Sequence, residues 1–374
     1  MARYYFDHNA TTPVSPEVFQ AMAPLMTEVY GNPSSIHQFG QEARGVLDEA
    51  RRSVAGALGA KAEEIVFTSG GTEADNLAIF GAAGHVITTT VEHPAVLQAA
   101  AQIPSATFVP VNQCGVVDPE AVRAAIRPDT RLISVMHVNN ELGVIQPLAE
   151  IARIAQEAGV LMHADGVQAL GKILVDVGEL GVDLYSVSAH KINGPKGVGA
   201  LYVRKGTELR PLLYGGPHER KLRAGTENVA GAAGFGRAAK WVREEAAAEV
   251  QRQQILRDRL EQGIRARVEG VHVNGGGAAR VGNTSNLRFD GIDSEPLLIA
   301  LDLKGFAVSS GSACSSGATA PSHVLAAIGL TKEQARSSVR FSLGRSNTVA
   351  QVDALIDAVV EVVARLRKLA PAYV

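Results

Sequence analysis

The sequence predicts an α/β protein with a mostly parallel sheet covered by helices, followed by a smaller α+β domain. Two observations support this fold class. Over residues 64–203, short β-branched runs alternate with Ala-rich helical stretches, a rhythm that implies crossover connections between parallel strands. Past residue 236 the composition changes to a long stretch rich in Ala, Glu, Arg and Gln, and strand-like runs return beyond it. We place a large domain at residues 13–248 and a small domain at residues 1–12 and 249–374.

The strands of the large domain are predicted from short β-branched and apolar runs. They cover residues 64–68, 85–91, 131–138, 160–164, 182–187 and 199–203. Helical stretches such as residues 147–158 lie between them. In sheets of this kind, ligands bind beyond the carboxyl ends of the strands. The polar residues that follow each run are therefore the first candidates for function.

The second region has its own predicted elements. Residues 237–267 predict one long exposed helix that leads out of the large domain, and residues 275–277 predict a turn. Strands are predicted at residues 286–289 and 338–342. The last helix begins with a capping box formed by Thr348 and Gln351. Its apolar residues recur at helical spacing and predict a buried face: Leu355, Ile356, Val359, Val360, Val363 and Leu366.

Composition excludes several classes of function. Of the 374 residues, 36 are Lys or Arg and 38 are Asp or Glu, and the net charge of -2 argues against binding nucleic acid or a membrane surface by bulk charge. The sequence contains no stretch of 18 consecutive apolar residues, so no membrane span is expected. The first nine residues contain no apolar core of a signal peptide, so no export is expected. Two cysteines cannot form a disulfide framework or a structural zinc site, and a cytoplasmic protein is expected.

Lys191 and Asp165 are candidate cofactor residues. Lys191 ends the run Ser-Ala-His-Lys just after a predicted strand, where a lysine can form a Schiff base with an aldehyde cofactor. A solvated surface lysine is the alternative. Asp165 follows an earlier strand and favours the first interpretation, because pyridoxal phosphate needs a carboxylate at its pyridine nitrogen. The pair suggests this cofactor without deciding it.

Residues 69–73, Ser-Gly-Gly-Thr-Glu, form a candidate phosphate-binding turn. Glycines at a helix N-terminus expose main-chain N–H groups, and Thr72 adds a hydroxyl. The alternative is an ordinary turn with Ser69 or Thr72 as the helix N-cap. Residues 166–172 match the pattern G-x-x-x-x-G-K, but Ile173 stands where Ser or Thr must ligate magnesium. Since no G-x-G-x-x-G occurs either, the sequence argues against a nucleotide site.

Three further residue types carry candidate chemistry. His93 follows a strand and could stack on an aromatic cofactor and shuttle protons, or only bond a main-chain carbonyl. Cys314 lies among small residues that predict an exposed, mobile loop, where a reactive thiol is accessible; Cys114 fits the alternative of a buried thiol better. Arg340 and Arg345 could hold a substrate carboxylate or form surface ion pairs.

With these segments in place, the sequence resembles the cysteine desulfurases of the class V aminotransferase group, the NifS/IscS-like enzymes of pyridoxal-phosphate fold type I. The matches follow in order through nearly the whole chain, at residues 7–13, 31–35, 69–73, 92–93, 137–143, 165–168, 188–197, 223–226, 309–318 and 340–345. So many matches in order are highly specific.

The resemblance implies a role for each matching residue. Lys191 is the Schiff-base lysine, Asp165 the partner of the pyridine nitrogen, Gln168 the partner of the phenolic oxygen, and His93 stacks on the ring. The phosphate is held by Gly71, Thr72, Ser188 and His190, with Thr226 from the neighbouring subunit of a homodimer. The substrate carboxylate is held by Asn140 and Arg345, with Asn32 nearby. Cys314 is the sulfur nucleophile, and His93 is the candidate for its activation.

The implied reaction converts L-cysteine into L-alanine and leaves a persulfide on Cys314. The sulfur goes to an iron–sulfur scaffold protein or another acceptor, and Cys314 transiently ligates a nascent iron–sulfur cluster. Residues 315–321 depart from relatives, which often carry Leu-Glu before the proline, so the acceptor stays open. Two alternatives remain: another pyridoxal-phosphate aminotransferase or lyase, which has no use for Cys314, and a non-catalytic protein, against which the intact Lys191, Asp165 and Cys314 speak.

Overall fold

The computed structural model describes residues 3–310 and 322–369. The strands within these residues are β1 (Tyr4–Tyr5), β2 (Ile65–Thr68), β3 (His85–Thr89), β4 (Thr107–Val109), β5 (Thr130–Ser134), β6 (Leu161–Asp165), β7 (Leu184–Ser188), β8 (Gly199–Val203), β9 (Val271–Val273), β10 (Thr284–Phe289), β11 (Phe306–Ala307) and β12 (Ser338–Ser342). The α-helices are α1 (Pro16–Met22), α2 (Gln38–Ala57), α3 (Gly71–Ala82), α4 (Pro94–Ala100), α5 (Pro119–Ala124), α6 (Leu148–Ala158), α7 (Val177–Leu180), α8 (Val229–Arg265), α9 (Ser294–Leu303), α10 (His323–Ala327), α11 (Lys332–Arg336) and α12 (Val349–Leu369).

A seven-stranded sheet forms the centre of the large domain, in the order β2-β8-β7-β6-β5-β3-β4. Neighbouring strands from β7 to β4 run parallel, whereas β8 is antiparallel to both β2 and β7. The predicted α/β class is therefore confirmed. Two predicted runs, 85–91 and 131–138, were too long: the strands end at Thr89 and Ser134, and the polar residues beyond them lie in the loops that build the site.

Helices cover both faces of this sheet, as the alternation of its side chains requires. In β5, Leu132 packs with Leu77 of α3 and Val96 of α4. The next residue, Ile133, lies in the core on the opposite face, together with Ile151 of α6. Strands buried on both faces must be apolar at nearly every position, which explains the short continuous apolar runs in the sequence.

Helix α8 joins two hydrophobic cores. Phe235 and Trp241 in its first half belong to the core of the large sheet, and Leu256 and Leu260 in its second half belong to a second core. The helix runs unbroken for 37 residues, and it begins before the predicted residue 237 because the side chain of Asn228 caps it by accepting the Gly231 N–H. The predicted boundary at residue 248 falls inside this helix and stays a prediction.

The second core is enclosed by an antiparallel sheet, β9-β10-β12, and by helices. Phe341 of β12 and Val359 of α12 lie in it with Phe6 from the N-terminal segment. The predicted capping box of α12 is confirmed: Thr348 Oγ1 accepts the Gln351 N–H at 3.3 Å, and Gln351 Oε1 accepts the Thr348 N–H at 3.3 Å. Among the described helices, none is both long and apolar enough to cross a membrane.

Candidate active site

The carboxyl ends of β6 and β7 bring Asp165 and Lys191 to the same edge of the large sheet. Asp165 is the last residue of β6 and pairs in register with Ser186 of the parallel strand β7. Strand β7 ends at Ser188, and the 3-10 turn Ala189–Lys191 follows directly. The two groups interact electrostatically, since the Lys191 amine lowers the pKa of the Asp165 carboxyl. Sheet topology thus assembles the pair that the sequence analysis singled out.

The Asp165 carboxyl is buried, and its environment favours a cationic partner. Oδ1 accepts the Val167 N–H at 2.9 Å. Burial raises the pKa of Asp165, whereas His93, the Val167 N–H and Lys191 lower it. A buried carboxylate with one main-chain donor is stabilised further by any positive charge brought beside it. A protonated ring nitrogen would supply that charge.

The Lys191 amine is held by the N-terminal segment. It donates to the main-chain carbonyl of Asn9 and, at 2.8 Å, to that of Ala10. The same segment binds the turn on its other side, because Thr11 Oγ1 lies 3.1 Å from His190 Nδ1 and the Thr12 N–H donates to the His190 carbonyl at 2.9 Å. Carbonyl oxygens orient the amine without neutralising it.

The turn before α3 fits a phosphate group. Helix α3 begins at Gly71, one residue after its N-cap Gly70, and the first N–H groups of a helix have no partners within it. A Cβ built on Gly71 would lie 2.6 Å from Val167 Cγ2, so only glycine lets this helix end approach the loop after β6 so closely. The neighbouring Thr72 is exposed and offers its hydroxyl. The helix end therefore meets the loop after Asp165 at the edge of the sheet where Lys191 also lies.

Ser188, His190 and Gln168 complete the set expected around the cofactor. Ser188 is buried, and its Cβ lies 3.8 Å from the position a Gly71 Cβ would take. Burial lowers the pKa of His190 to about 4, with Lys191 lowering it further, so this imidazole is neutral at neutral pH. Gln168 is buried, and its Nε2 donates to the Asn9 carbonyl at 2.9 Å.

His93 caps α4. Its Nδ1 accepts the Ala95 N–H at 3.1 Å, which places the ring proton on Nε2. Burial lowers the pKa of His93, Asp165 raises it, and Lys191 and His323 lower it again. The neutral ring presents an N–H at Nε2. Accepting a proton from a thiol, the role suggested from the sequence, would require this ring to change tautomer and give up its cap.

The three residues predicted to hold a substrate carboxylate are placed differently. The Arg345 guanidinium lies 4.1 Å over the Trp241 ring and 3.1 Å from Glu17 Oε1, and Arg345 lines a cavity of about 30 Å³ together with Lys191. The main-chain oxygen of Asn140 accepts hydrogen bonds from Arg340 Nη1 at 2.9 Å and from Asn9 Nδ2 at 3.1 Å. Asn32 is exposed, and its Oδ1 accepts the Ser34 N–H. The structure thus brings Arg345 to Lys191 and records no contact between Asn32 and the other site residues it describes.

The loop containing Thr226 lies beside the phosphate-binding turn. Arg223 Nε donates to Glu73 Oε1 at 2.9 Å, and Glu73 Oε2 accepts the Ser69 N–H at 2.8 Å. These bonds attach the loop to the first turn of α3 within one chain. Thr226 itself is exposed.

Comparison with known proteins agrees with this geometry. The sequence profile of class-V aminotransferases matches residues 4–355. The chain belongs to the class-V aminotransferase family. Cysteine desulfurase IscS of Dictyoglomus turgidum is 47% identical over 378 residues, covering 98% of this chain and 96% of that protein. Cysteine desulfurase IscS of Methanosarcina thermophila is also 47% identical, covering 98% and 93%. A solved NifS-like protein superposes with a TM-score of 0.90 at 37% identity, covering 97% of this chain and 100% of that one.

The family membership confirms the resemblance found in the sequence and the fold type it implied. For this class-V aminotransferase, the expected nucleophile Cys314 and the divergent run 315–321 lie outside the described residues, in the stretch between residues 310 and 322. Within residues 3–310 and 322–369, no group of three or more His, Cys, Asp or Glu side chains could hold a metal ion.

Two polar residues of the site, Asn9 and Lys172, are not recognisable as such from the sequence. Asn9 contacts Gln168 and Lys191 through its main-chain oxygen, and Thr284 through its side chain. Lys172 was considered only as the last residue of an incomplete nucleotide motif. Both lie in segments that were singled out, residues 7–13 and 166–172, but only the folded chain shows that these segments meet.

Proposed function

We propose that this protein is a pyridoxal-phosphate-dependent cysteine desulfurase, which converts L-cysteine into L-alanine and a persulfide on Cys314. The proposal rests above all on one observation: the buried Asp165 carboxyl, the Lys191 amine and the Gly71 helix end lie together at one edge of the sheet. An acid, an amine and an anion-binding turn are the three groups that this cofactor requires. The 47% identity to relatives named cysteine desulfurase supports the choice of substrate.

Each group of the site then has a task in holding the cofactor. Lys191 anchors the aldehyde carbon, and Asp165 pairs with the ring nitrogen. Gln168 donates to the phenolic oxygen and His93 packs on the ring face. Gly71, Thr72, Ser188 and His190 hold the phosphate. When bound, the cofactor withdraws electrons from the substrate Cα and stabilises negative charge there.

Lys191 also moves the substrate α-proton. With substrate bound to the cofactor, the Lys191 amine would accept that proton, and the carbonyls of Asn9 and Ala10 would keep the amine in place. Both carbonyls only accept hydrogen bonds and do not donate one to the amine nitrogen. The lone pair of the neutral amine therefore stays available for the substrate proton. The proton returns from Lys191 to carbon in the later half of the reaction.

Sulfur transfer requires the Cys314 thiolate. Its sulfur attacks the substrate sulfur, a new S–S bond forms, and the bond between substrate Cβ and sulfur breaks with its electron pair remaining on carbon. That carbon then takes up a proton and becomes the methyl group of alanine. A free thiol has a pKa of about 8.5, so a neighbouring group must favour the thiolate at neutral pH.

Arg345 holds the substrate carboxylate in this proposal, with Asn140 and Asn32. Its guanidinium already faces a carboxylate, Glu17 Oε1 at 3.1 Å, and the substrate would replace that partner while the stacking on Trp241 is kept. An exchange of one carboxylate for another changes the charge balance little, which favours reversible binding.

The protein acts as a cytoplasmic homodimer that passes its sulfur to an iron–sulfur scaffold protein or another acceptor, with Cys314 as a transient cluster ligand. Large apolar side chains support a subunit interface, because five of them are more than half exposed within residues 19–39: Phe19, Met26, Tyr30, Ile36 and Phe39. In the dimer, Thr226 reaches the phosphate bound by the neighbouring subunit.

The proposal is tested with purified protein loaded with pyridoxal phosphate. We expect a visible absorption band that changes on addition of L-cysteine, and alanine and sulfide in equal amounts when a reductant is present. Cys314→Ser should keep both the band and its response to cysteine but release no sulfide, and Cys114→Ser is the matched control with parent activity. Formation of a keto acid without sulfide would instead identify an aminotransferase, and sulfide release by Cys314→Ser would rule out this nucleophile.

A further inference from the structure

Lys172 is a buried amine that the proposed chemistry leaves without a task. It lines the same small cavity as Lys191, and only 7% of its surface is exposed. Its hydrogen bonds go to two neutral side chains, and within the part of the chain that the structure describes it forms no ion pair. Burial lowers its pKa well below the usual value, and Lys191 and Arg340 lower it further. An apolar residue could fill this volume without that penalty, so packing alone does not explain the amine.

The contacts of Lys172 orient the Gln168 amide and, together with Asn283 Nδ2, which donates to Asn9 Oδ1 at 3.1 Å, the Asn9 amide. The Lys172 amine donates to Asn9 Oδ1 at 2.8 Å and to Gln168 Oε1. On the other side of each amide, Asn9 Nδ2 donates to Thr284 Oγ1 at 2.9 Å, and Gln168 Nε2 donates to the Asn9 carbonyl at 2.9 Å. A lysine amine retains at least two N–H donors whether it is charged or neutral, one for each of these oxygens.

The Gln168 amide therefore has one stable orientation, with its oxygen toward Lys172. One hydrogen on Nε2 is used by Asn9, and the other has no acceptor among the residues that the structure describes. Had the amide turned over, its oxygen would face the Asn9 carbonyl and its N–H groups would face the amine. The contact with the Asn9 carbonyl would be replaced by repulsion between two oxygens, and the Lys172 N–H groups would lose their acceptor on Gln168; buried polar groups left unpaired are costly.

We propose that Lys172 is a positioning residue: by holding the side-chain oxygens of Gln168 and Asn9, it leaves an N–H of Gln168 as the group offered to the phenolic oxygen of the cofactor. This inference rests on the proposed function, which assigns that partner to Gln168. The phenolic oxygen carries negative charge in the bound cofactor and needs a donor. The carbonyl oxygen of a reversed amide would repel it.

A hydrogen-bond donor at the phenolic oxygen has a measurable effect. It stabilises the form of the bound cofactor in which this oxygen holds its full negative charge, and so lowers the pH at which the visible absorption band titrates. Weakening the donor should raise the midpoint of that titration. A side chain that only fills space would change thermal stability and leave the midpoint where it was.

The test compares the loaded parent with Lys172→Met, Gln168→Leu and the double variant by spectrophotometric titration. Each single change should raise the midpoint by at least about half a pH unit, and the double variant should shift no further than the larger single one, because both act through one hydrogen bond. Lys240→Met, an exposed lysine of α8, is the matched control and should titrate like the parent. Thermal unfolding of each protein without cofactor measures the structural effect separately.

The inference is overturned if loaded Lys172→Met melts at a lower temperature but titrates like the parent. It is also overturned if the midpoint shifts of Lys172→Met and Gln168→Leu add in full in the double variant, since Lys172 would then act by its charge and not through Gln168. Gln168→Glu keeps an oxygen toward Lys172 and puts a second oxygen in place of Nε2. It should raise the midpoint by more than one unit even if Lys172→Met does not fold, and an unchanged midpoint there also refutes the proposal. A parent protein with no visible band refutes the proposed function itself, and this inference with it.

Discussion

Replacing Glu92 by glutamine should change how the stability of the protein depends on pH. Glu92 is fully buried between β3 and α4. Its Oε1 accepts the Thr89 hydroxyl at 2.6 Å and the Met136 N–H at 3.0 Å, whereas Oε2 has no partner among the described residues. Burial raises its pKa from 4.5 to about 8. Glutamine has nearly the same shape, keeps the oxygen that accepts both bonds and cannot ionise.

The sign follows from proton binding. Between pH 4.5 and 8 the folded chain holds a proton on Glu92 that the unfolded chain has lost, so the stability that this group contributes falls as the pH rises. Glutamine has no such dependence. The difference in free energy of unfolding between Glu92→Gln and the parent should therefore grow by about 1.4 kcal/mol per pH unit, or about 2.7 kcal/mol from pH 5.5 to 7.5. A constant offset of about 1–3 kcal/mol from burying the new amide group does not alter this slope.

Urea unfolding without cofactor measures the slope, because bound ligand would add a stabilisation of its own. The single tryptophan, Trp241, lies in the core of the large sheet and reports unfolding by its fluorescence. Glu150→Gln, an exposed carboxyl in the first turn of α6, is the control and should run parallel to the parent. If Glu92→Gln also runs parallel to the parent from pH 5.5 to 7.5, Glu92 is not held protonated and the reasoning is wrong.

Four further outcomes are expected. Lys191→Ala should abolish sulfide release, and substantial residual release would remove Lys191 from the mechanism. Arg345→Ala should raise the KM for cysteine by about 10-fold or more, the equivalent of a charge-assisted contact of roughly 1.5–3 kcal/mol, without weakening cofactor binding measured by absorbance; equal losses would indicate a structural role. Lys221→Gly should stabilise the protein by about 1 kcal/mol in urea unfolding, since Lys221 has a φ of 66°; a loss of stability would contradict a strained loop. Co-refolded Thr226→Asp and Lys191→Ala chains should regain activity as mixed dimers, and continued inactivity would place Thr226 outside the partner's site.

The sequence predicted the central sheet well because its strands are buried on both faces. Residues such as Leu132 and Ile133 must both be apolar there, and this leaves a short continuous run that is easy to recognise. Strand β4 (Thr107–Val109) was not predicted, since an edge strand of three residues, of which only Val109 is buried, leaves no such pattern. Helix α8 was predicted to start at residue 237 because its first turns are rich in glycine, and the Asn228 cap was not recognised.

For the candidate site, the sequence predicted the residues at strand ends but not their mutual contacts. Asp165 and Lys191 could be paired in advance because parallel strands end at one edge. The bonds from Asn9 to Lys172 and to Ser342 span 163 and 333 positions along the chain, and no local pattern indicates them. The roles of Arg345 and Thr226 came from resemblance alone, and the structure adds the Glu17 and Trp241 contacts of Arg345.

The position of Asn9 has a consequence for the order in which a newly made chain can complete its site. The hydroxyl that accepts the Asn9 main-chain N–H belongs to Ser342, which lies 333 residues further along the chain, and the adjoining strand β1 pairs with β11. At a translation rate of about 5–20 residues per second, Ser342 follows Asn9 by roughly 15–70 s. The large sheet can fold on the ribosome during this interval, before Ser342 is available to bind the N-terminal segment. The Asn9 carbonyl that orients the Lys191 amine is therefore fixed in place only after Ser342 has been synthesised.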